Sequence, residues 1–363
     1  MTGKNADDLA DGVGLDRGLQ FGDGLFETVW LDRGQPLGWD WHWVRFAAGC
    51  GALALPLADP ERIRSALIDA WIAADRPIDA LAKWVWTAGN SASGYVRPAI
   101  QRPNLFVQCR AATADPLGAG SEDVDSSALG LHGSRSIGDA TDKSSLAKGA
   151  SVVSDASLPL RVITLSSVCA SIQPGLAGFK HLNRLDQVLA RSRLDQMIGS
   201  QRTEATSVEQ SIECPVVHDA LLCDADARLV CATAANIALR IDGKWLTPEH
   251  RGAGVAGTRR AAWLAVAESD SSATSGGARN SDEVMPQLHV AVLDEAVLES
   301  AEAMVVMGTG VGLQWVDELR GRDGATIQHW SRNDADFARL PVWRRALRAR
   351  LNTGRRLSDF SLN

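Results

Sequence analysis

Residues 111–158 break the chain in two. They are rich in Ser, Gly, Ala and Asp and show little periodicity. Such a stretch buries too little apolar surface to offset the entropy of ordering it, so a flexible insertion or linker is expected there. At 363 residues the chain is also too long for one ordinary small core. The break therefore predicts a smaller N-terminal domain over 1–110 and a larger C-terminal domain over 159–350. A second low-complexity stretch, residues 269–283, reads as a loop within the latter.

Several function classes are disfavoured by composition. Hydrophobic residues make up 45% and charged residues 22%, an ordinary globular balance. A formal charge of −7 gives no general attraction to phosphate backbones, so a nucleic-acid partner is not expected. No apolar run approaches the ~20 residues of a membrane span, and the acidic first dozen residues lack the apolar core of a secretory signal. Cys50, Cys109, Cys169, Cys214, Cys223 and Cys231 are scattered without CxxC spacing and read as reduced thiols of a cytoplasmic protein. No His, Cys and carboxylate cluster has metal-ligand spacing. Twelve Trp beside a single Tyr, Tyr95, have no explanation at this level.

Periodicity gives a mixed α/β order. LFETVWL reads as a strand, followed by the turn RGQPL. WDWHWVRFAAGC reads as a helix, with Trp43, Phe46, Ala47 and Cys50 on one face. Arg45 lies about 200° from Trp43 on that wheel and so can point away from the core. DPERIRSALIDAWIAA is a second helix, with Asp59 as N-cap and Pro60 in the first turn. KWVWTAG, PNLFVQC and LPLRVITLSSV are strand candidates. NRLDQVLARSRLDQMI is a helix whose Leu185, Val188 and Leu189 share a face, with Asn183 placed to cap it and Asp186 at N3. DALLCD, ARLVCA, NIALRI, KWLTP, LHVAVL, AMVVMG and GLQWV are later strands. GAGVAGTRRAAWLAVA is a Gly-rich loop running into a helix, and DADFARLPVWRRALRARL is a basic C-terminal helix, read as a solvated face.

Three motifs carry chemistry. Lys180, in GLAGFKHLNRLDQ, follows a Gly-containing loop and is sheltered by Leu176, Phe179 and the next helix. Desolvation there would lower its pKa and favour an imine; the plainer reading is a lysine covering apolar surface with its stem. GAGVAG (Gly252, Gly254, Gly257) formally matches G-x-G-x-x-G, but LTPEHR before it is no buried strand, which disfavours dinucleotide binding. What survives is an anion site at a helix start, with Thr258 adding a hydroxyl and Arg259 or Arg260 a charge; a plain turn into a helix remains the alternative. MGTGVG, residues 307–312, offers a second hydroxyl from Thr309.

Together these segments resemble one family, the class IV aminotransferases. LDRGLQFGDGLFETV is similar to its N-terminal signature. HWVRF resembles its H-x-x-R-L segment, which implies Arg45 as a phosphate-binding arginine. LAGFKHLNRLDQVLAR resembles the lysine segment of the aminodeoxychorismate lyase branch, the pabC-type enzymes; branched-chain aminotransferases usually carry Tyr where this chain has Leu185. GVAGTRR resembles the phosphate cup, implying contacts from Gly257, from the backbone and hydroxyl of Thr258 and from the backbone of Arg259, completed by Thr309. The resemblance covers residues 14–108 and 160–316.

The resemblance implies a two-domain D-amino-acid-aminotransferase-like fold, a homodimer, pyridoxal 5'-phosphate as cofactor and Lys180 as the residue that forms the Schiff base. It implies formation of para-aminobenzoate and pyruvate from aminodeoxychorismate, a step of folate synthesis. The alternatives are a class IV aminotransferase acting on D-amino or branched-chain amino acids and a degenerate non-catalytic homologue. Two departures stand out. The family places Glu five residues before the Asn of its A-N-(L/I) motif, to hold the pyridine nitrogen protonated; VCATAANIAL puts Cys231 there, with Asn236 matching the Asn. A neutral thiol makes the ring a weaker electron sink. In TAGNSASGY, Ala88 and Ser93 replace two arginines of the family pattern.

Overall fold

The computed structural model describes residues 15–91, 94–112, 117, 161–204, 217–250, 252–271 and 285–353. Ser93, Cys214, the first 14 residues and nearly all of the 111–158 and 269–283 segments lie outside the described residues.

A short helix α1 (Arg17–Phe21), capped by the Asp16 carboxylate on the amides of Gly18 and Leu19, leads into an antiparallel sheet. That sheet has the order β2 (Gln35–Pro36), β1 (Gly24–Asp32), β3 (Asp79–Thr87), β4 (Leu105–Ala111). Side chains alternate across it with period two. Leu25, Val29, Leu31, Ala80, Ala82, Trp84 and Trp86 are buried. They share a core with residues of α2 (Trp39–Ala52) and α3 (Pro60–Ala73). The other face carries Phe26, Thr28, Leu81 and Lys83, which line cavities. Helix α3 starts as its sequence predicts, with the Asp59 carboxylate accepting from the Glu61 amide at 3.0 Å.

The rest of the chain forms two five-stranded sheets. One comprises β5 (Val162–Leu165), β6 (Val217–Cys223), β7 (Leu229–Ala232), β13 (Glu318–Arg320) and β14 (Thr326–His329), in the order β14-β13-β5-β6-β7. The other comprises β8 (Asn236–Ile241), β9 (Lys244–Pro248), β10 (Leu288–Ala291), β11 (Ala303–Gly308) and β12 (Gly312–Trp315), in the order β10-β9-β8-β11-β12. Three further helices are α4 (Leu185–Glu204), α5 (Thr258–Ser271) and α6 (Ala335–Asn352).

The tryptophans find their explanation here. Trp245, Trp263 and Trp343 meet at centroid separations of 5.7–5.8 Å between β9, α5 and α6. Trp39, Trp43, Trp84 and Phe46 form a second aromatic cluster around α2 and β3. Large rings fill the junctions between these elements and gain from packing edge to face or offset against one another.

Several expectations are corrected. Leu185, Val188 and Leu189 do face one way, but that way is outward, at 72%, 55% and 50% exposure; Ala190 and Leu194 are the buried residues of α4. Asn183 does not cap α4: its amide donates to the Gly22 carbonyl at 3.4 Å, while Asp186 accepts from the amide and hydroxyl of Ser171. Helix α6 is not simply solvated, since Leu340, Trp343, Leu347 and Leu351 are buried. Residues 269–271, expected in a loop, belong to α5, which runs to Ser271. β13 and β14 were not visible in the sequence, being too short to show a period.

Candidate active site

The Lys180 segment is stitched between two regions distant in sequence. On one side, the Phe26 amide donates to the Lys180 carbonyl at 2.9 Å and the Leu182 amide to the Gly24 carbonyl at 3.0 Å. On the other, the Gly178 amide donates to Gly254 and the Ala256 amide to Gly178. The chain from 178 to 182 is thus held between β1 and the glycine-rich loop before α5. Gly254 has φ +85°, a conformation that glycine adopts without strain.

A cavity of about 350 Å³ opens at this seam. Of the sequence-derived candidates, Arg45, Lys180, Cys231, Asn236, Gly257, Thr258 and Thr309 all line it. Arg259 reaches it through Thr309, donating from Nη1 to the hydroxyl at 2.7 Å. These residues come from five separate stretches of chain, and the fold brings them together.

Lys180 Nζ lies 4.5 Å from the centroid of the Phe26 ring. Burial, and next the positive charge of Arg45, push its pKa down to about 7. The uncharged amine is therefore far more accessible at neutral pH than for an ordinary lysine. An uncharged amine is the form that attacks a carbonyl.

Arg45 sits off the Trp43 face of its helix, as expected, yet it is 4% exposed and points into the seam. Its Nε and Nη2 donate to the Glu27 carboxylate at 2.8 and 2.5 Å, and Nη1 donates to the Ala256 carbonyl at 2.8 Å. Burial alone would raise the Glu27 pKa; the charge of Arg45 and hydrogen bonds from His42 and Arg45 outweigh it and hold it at about 2. His42 Nδ1 lies 2.8 Å from Glu27. An ionised carboxylate only accepts, so Nδ1 carries the proton. Burial brings the His42 pKa down to about 4, so this contact is a hydrogen bond donated by a neutral imidazole at pH 7. Sequence reasoning missed Glu27 and His42. A Glu on the inward face of a strand, where Leu25 and Val29 flank it at period two, was the available signal.

The α5 end is built for an anion. Helix starts leave backbone N–H groups without intrahelical partners and carry a positive dipole end. Thr258 is the first residue of α5 and is buried. Arg259 is 1% exposed; its Nε and Nη2 are buried and have no partner among the described residues. Burial, then the nearby Arg45 charge, lowers its pKa to about 9. Orphaned buried guanidinium N–H groups are costly unless a ligand meets them. Gly257 is required here, since a Cβ would overlap Asn236 Oδ1. Asn236 in turn donates to the Val255 carbonyl at 2.9 Å, fixing the same loop.

The wall at β7 is different in character. Cys231 is buried, and burial pushes its thiol up to about 12, so it stays protonated. Arg184, another residue the sequence did not single out, lines the same cavity and donates to the His181 carbonyl at 3.0 Å and the Phe179 carbonyl at 2.6 Å. Ala88 is 1% exposed within the core of the first sheet and does not reach the cavity.

The residues present fit pyridoxal phosphate. The unmet N–H groups of Arg259, the α5 start, Thr258 and Thr309 suit its phosphate, and a buried amine with a depressed pKa suits its aldehyde. A family model described as amino-transferase class IV matches residues 24–319. A search of curated proteins finds no match. Among solved structures, the chain is similar to a 4-amino-4-deoxychorismate lyase from Pseudomonas aeruginosa, at 24% identity and TM-score 0.59, over 93% of this chain and 95% of that one. It is similar to a hypothetical aminotransferase from Mycobacterium tuberculosis in its PLP-bound form, at 16% identity and TM-score 0.58, over 98% and 95%. A branched-chain aminotransferase from Thermoproteus uzoniensis with norvaline matches at 13% identity and TM-score 0.59, over 93% and 89%. At these identities the likeness shows the fold. With the family model spanning most of its length, the chain belongs to the class IV aminotransferases, mixed α/β enzymes whose cofactor is pyridoxal phosphate.

Proposed function

We propose that this enzyme is an aminodeoxychorismate lyase, releasing pyruvate and leaving para-aminobenzoate, a precursor in folate synthesis. The observation that carries a lysine-centred reaction is the buried Lys180 amine, with a pKa of about 7, in one cavity with the α5 anion end. The choice of lyase rests on the KHLNRL run, with Leu185 in the place where branched-chain aminotransferases usually carry Tyr. The protonated Cys231 thiol, a departure from the family pattern, can be accommodated by this reaction. It cannot carry the negative charge that would hold a ring nitrogen protonated, and a product that becomes aromatic needs less help from the cofactor ring.

Pyridoxal phosphate, when bound, supplies an aldehyde for amines and a ring that accepts electron density. The chain's own residues do the rest. The α5 start, Thr258, Arg259 and Thr309 hold the phosphate. Arg45, clamped by Glu27, fixes the loop that presents that helix start. Lys180 Nζ takes the proton from the amine-bearing carbon of the substrate ring and returns one to the departing enol as the ether C–O bond breaks.

The reading includes a division into a domain over 1–110, a linker over 111–158 and a domain over 159–350, with the cofactor between the domains of each protomer in a homodimer. The outward-facing Leu185, Val188 and Leu189 favour a partner on that side of α4. The described cysteines are free thiols, which fits the reducing cytoplasm. None of the described helices is long and apolar enough to cross a membrane.

The second reading, amino transfer with D-amino or branched-chain amino acids, draws on the shared fold of the aminotransferases above. The test pairs two assays on the loaded enzyme. Pyruvate and para-aminobenzoate released in equal amounts from aminodeoxychorismate support the lyase. Amino transfer to a keto acid without pyruvate release selects the second reading, and neither activity in a yellow, cofactor-loaded protein rejects both.

A further inference from the structure

A second cavity, about 730 Å³, adjoins the first and shares Thr28, Leu81 and Arg110 with it. The outward face of the first sheet forms the common wall. Strand register places Thr28 opposite Lys83, Lys83 opposite Gln108, and Leu81 opposite Arg110. With side chains alternating across the sheet, these residues share one face.

The joined cavities have a surplus of positive charge. The first is lined by Arg45, Arg110, Lys180 and Arg184, the second by Lys83 and Arg110, and among the described residues no Asp or Glu lines either. This occurs in a chain whose net charge is −7. The cations have different fates. Arg45 is matched by Glu27, and Arg184 is spent on two backbone carbonyls. Lys83 has no ion-pair or hydrogen-bond partner among the described residues; its Nζ rests 4.4 Å from the centroid of the Phe26 ring. That is the same ring approached by Lys180 at 4.5 Å. Burial lowers the Lys83 pKa, with no neighbouring acid to offset it. A half-buried ammonium without a counter-ion, aimed into a cleft, gains most from an anionic ligand group.

We propose that Lys83, with Arg110 beside it, is the subsite that takes a carboxylate of the substrate, while the substrate's amine is presented to Lys180, which approaches the same Phe26 ring. The inference rests on the lysine-centred site described above and adds to it the residue that selects the substrate's acid group. Lys83 selects and positions; it does not take part in bond-making.

The test titrates cofactor-loaded enzyme with para-aminobenzoate and with aniline, the same ring without a carboxylate, following the absorbance of the bound cofactor and the Trp fluorescence. Wild-type enzyme is expected to prefer para-aminobenzoate by about tenfold or more, the scale of a hydrogen bond to a charged group. Lys83→Gln should remove that preference with cofactor loading intact, Lys83→Arg should keep it, and Arg110→Gln should weaken it. Equal binding of the two ligands by wild type overturns the proposal. So does a Lys83→Gln enzyme that keeps its preference and shifts only the pH at which Lys180 titrates, which would make Lys83 an electrostatic neighbour. Pyruvate release from aminodeoxychorismate is read separately: a carboxylate preference without it leaves the subsite standing and sinks the lyase.

Discussion

The α5 end and the β7 wall of the cavity are built on different principles. At the α5 end, a helix start, two threonines and a buried arginine converge, and much of the binding capacity belongs to the backbone. At the β7 wall the chemistry hangs on one side chain, Cys231, with Arg184 across from it. Backbone N–H groups survive most substitutions, while a single side chain can be exchanged in one step. On the proposed reading, the difference teaches where this enzyme is free to drift: a grip on phosphate would be distributed and hard to lose, whereas the electronic environment of the ring would be local and easily altered.

Lys180 joins the two ends, so removing it has the largest expected effect. Lys180→Ala should cut turnover at least about 100-fold and abolish the yellow absorption of the loaded protein. Retained colour with retained turnover would place the reacting amine elsewhere.

Next comes the clamp behind the α5 end. Arg45→Met leaves the Glu27 carboxylate buried without its counter-ion, which should cost about 3–5 kcal/mol in a urea melt of the cofactor-free protein. A loss under 1 kcal/mol would mean that water reaches Glu27. The same cluster sets a pH dependence. The folded-state pKa values of Glu27, about 2, and His42, about 4, both lie below their ordinary values. Each therefore contributes stability above its unfolded pKa and loses it as pH falls toward the folded one. Melts should weaken from about pH 6.5 downward, and Glu27→Gln together with His42→Phe should flatten that slope.

A smaller effect is expected at the anion end itself. Arg259→Met should lower cofactor affinity about 10- to 100-fold, read by absorbance titration, while Arg260→Met, whose guanidinium is spent on Thr247 and Pro248, should leave it near wild type. Equal losses in both variants would remove the special standing of Arg259.

The smallest change is at the other wall. Cys231→Glu places a carboxylate near Arg184 and, on the proposed lyase reading, should raise turnover only modestly, because aromatisation would already drive the elimination. An unchanged rate would mean that the protonation state at that wall does not limit turnover. A large gain would mean that the thiol is the main defect of this site.

Much of this was legible in the sequence, but unevenly. Long periodic elements such as α2 and α3, and the Asp59 cap, follow from local rules and appear where expected. The segments around Lys180, Thr258 and Thr309 were recognisable because their chemistry depends on short, contiguous runs. What failed depended on what lay opposite. Leu185, Val188 and Leu189 form a proper helical face, but periodicity does not say which side of α4 meets the core. Asp186 was assigned to a cap and instead holds Ser171, a residue 15 positions away.

The family was settled by the order of residues along the chain, and the lysine and glycine-loop segments that carry the resemblance could be read there too, since each needs only its immediate neighbours. The partner of Arg45, the unmet N–H groups of Arg259 and the ring shared by Lys83 and Lys180 were decided by the tertiary fold alone. The reason is physical: burial and pairing are properties of the space between segments, and one-dimensional spacing carries no measure of that space.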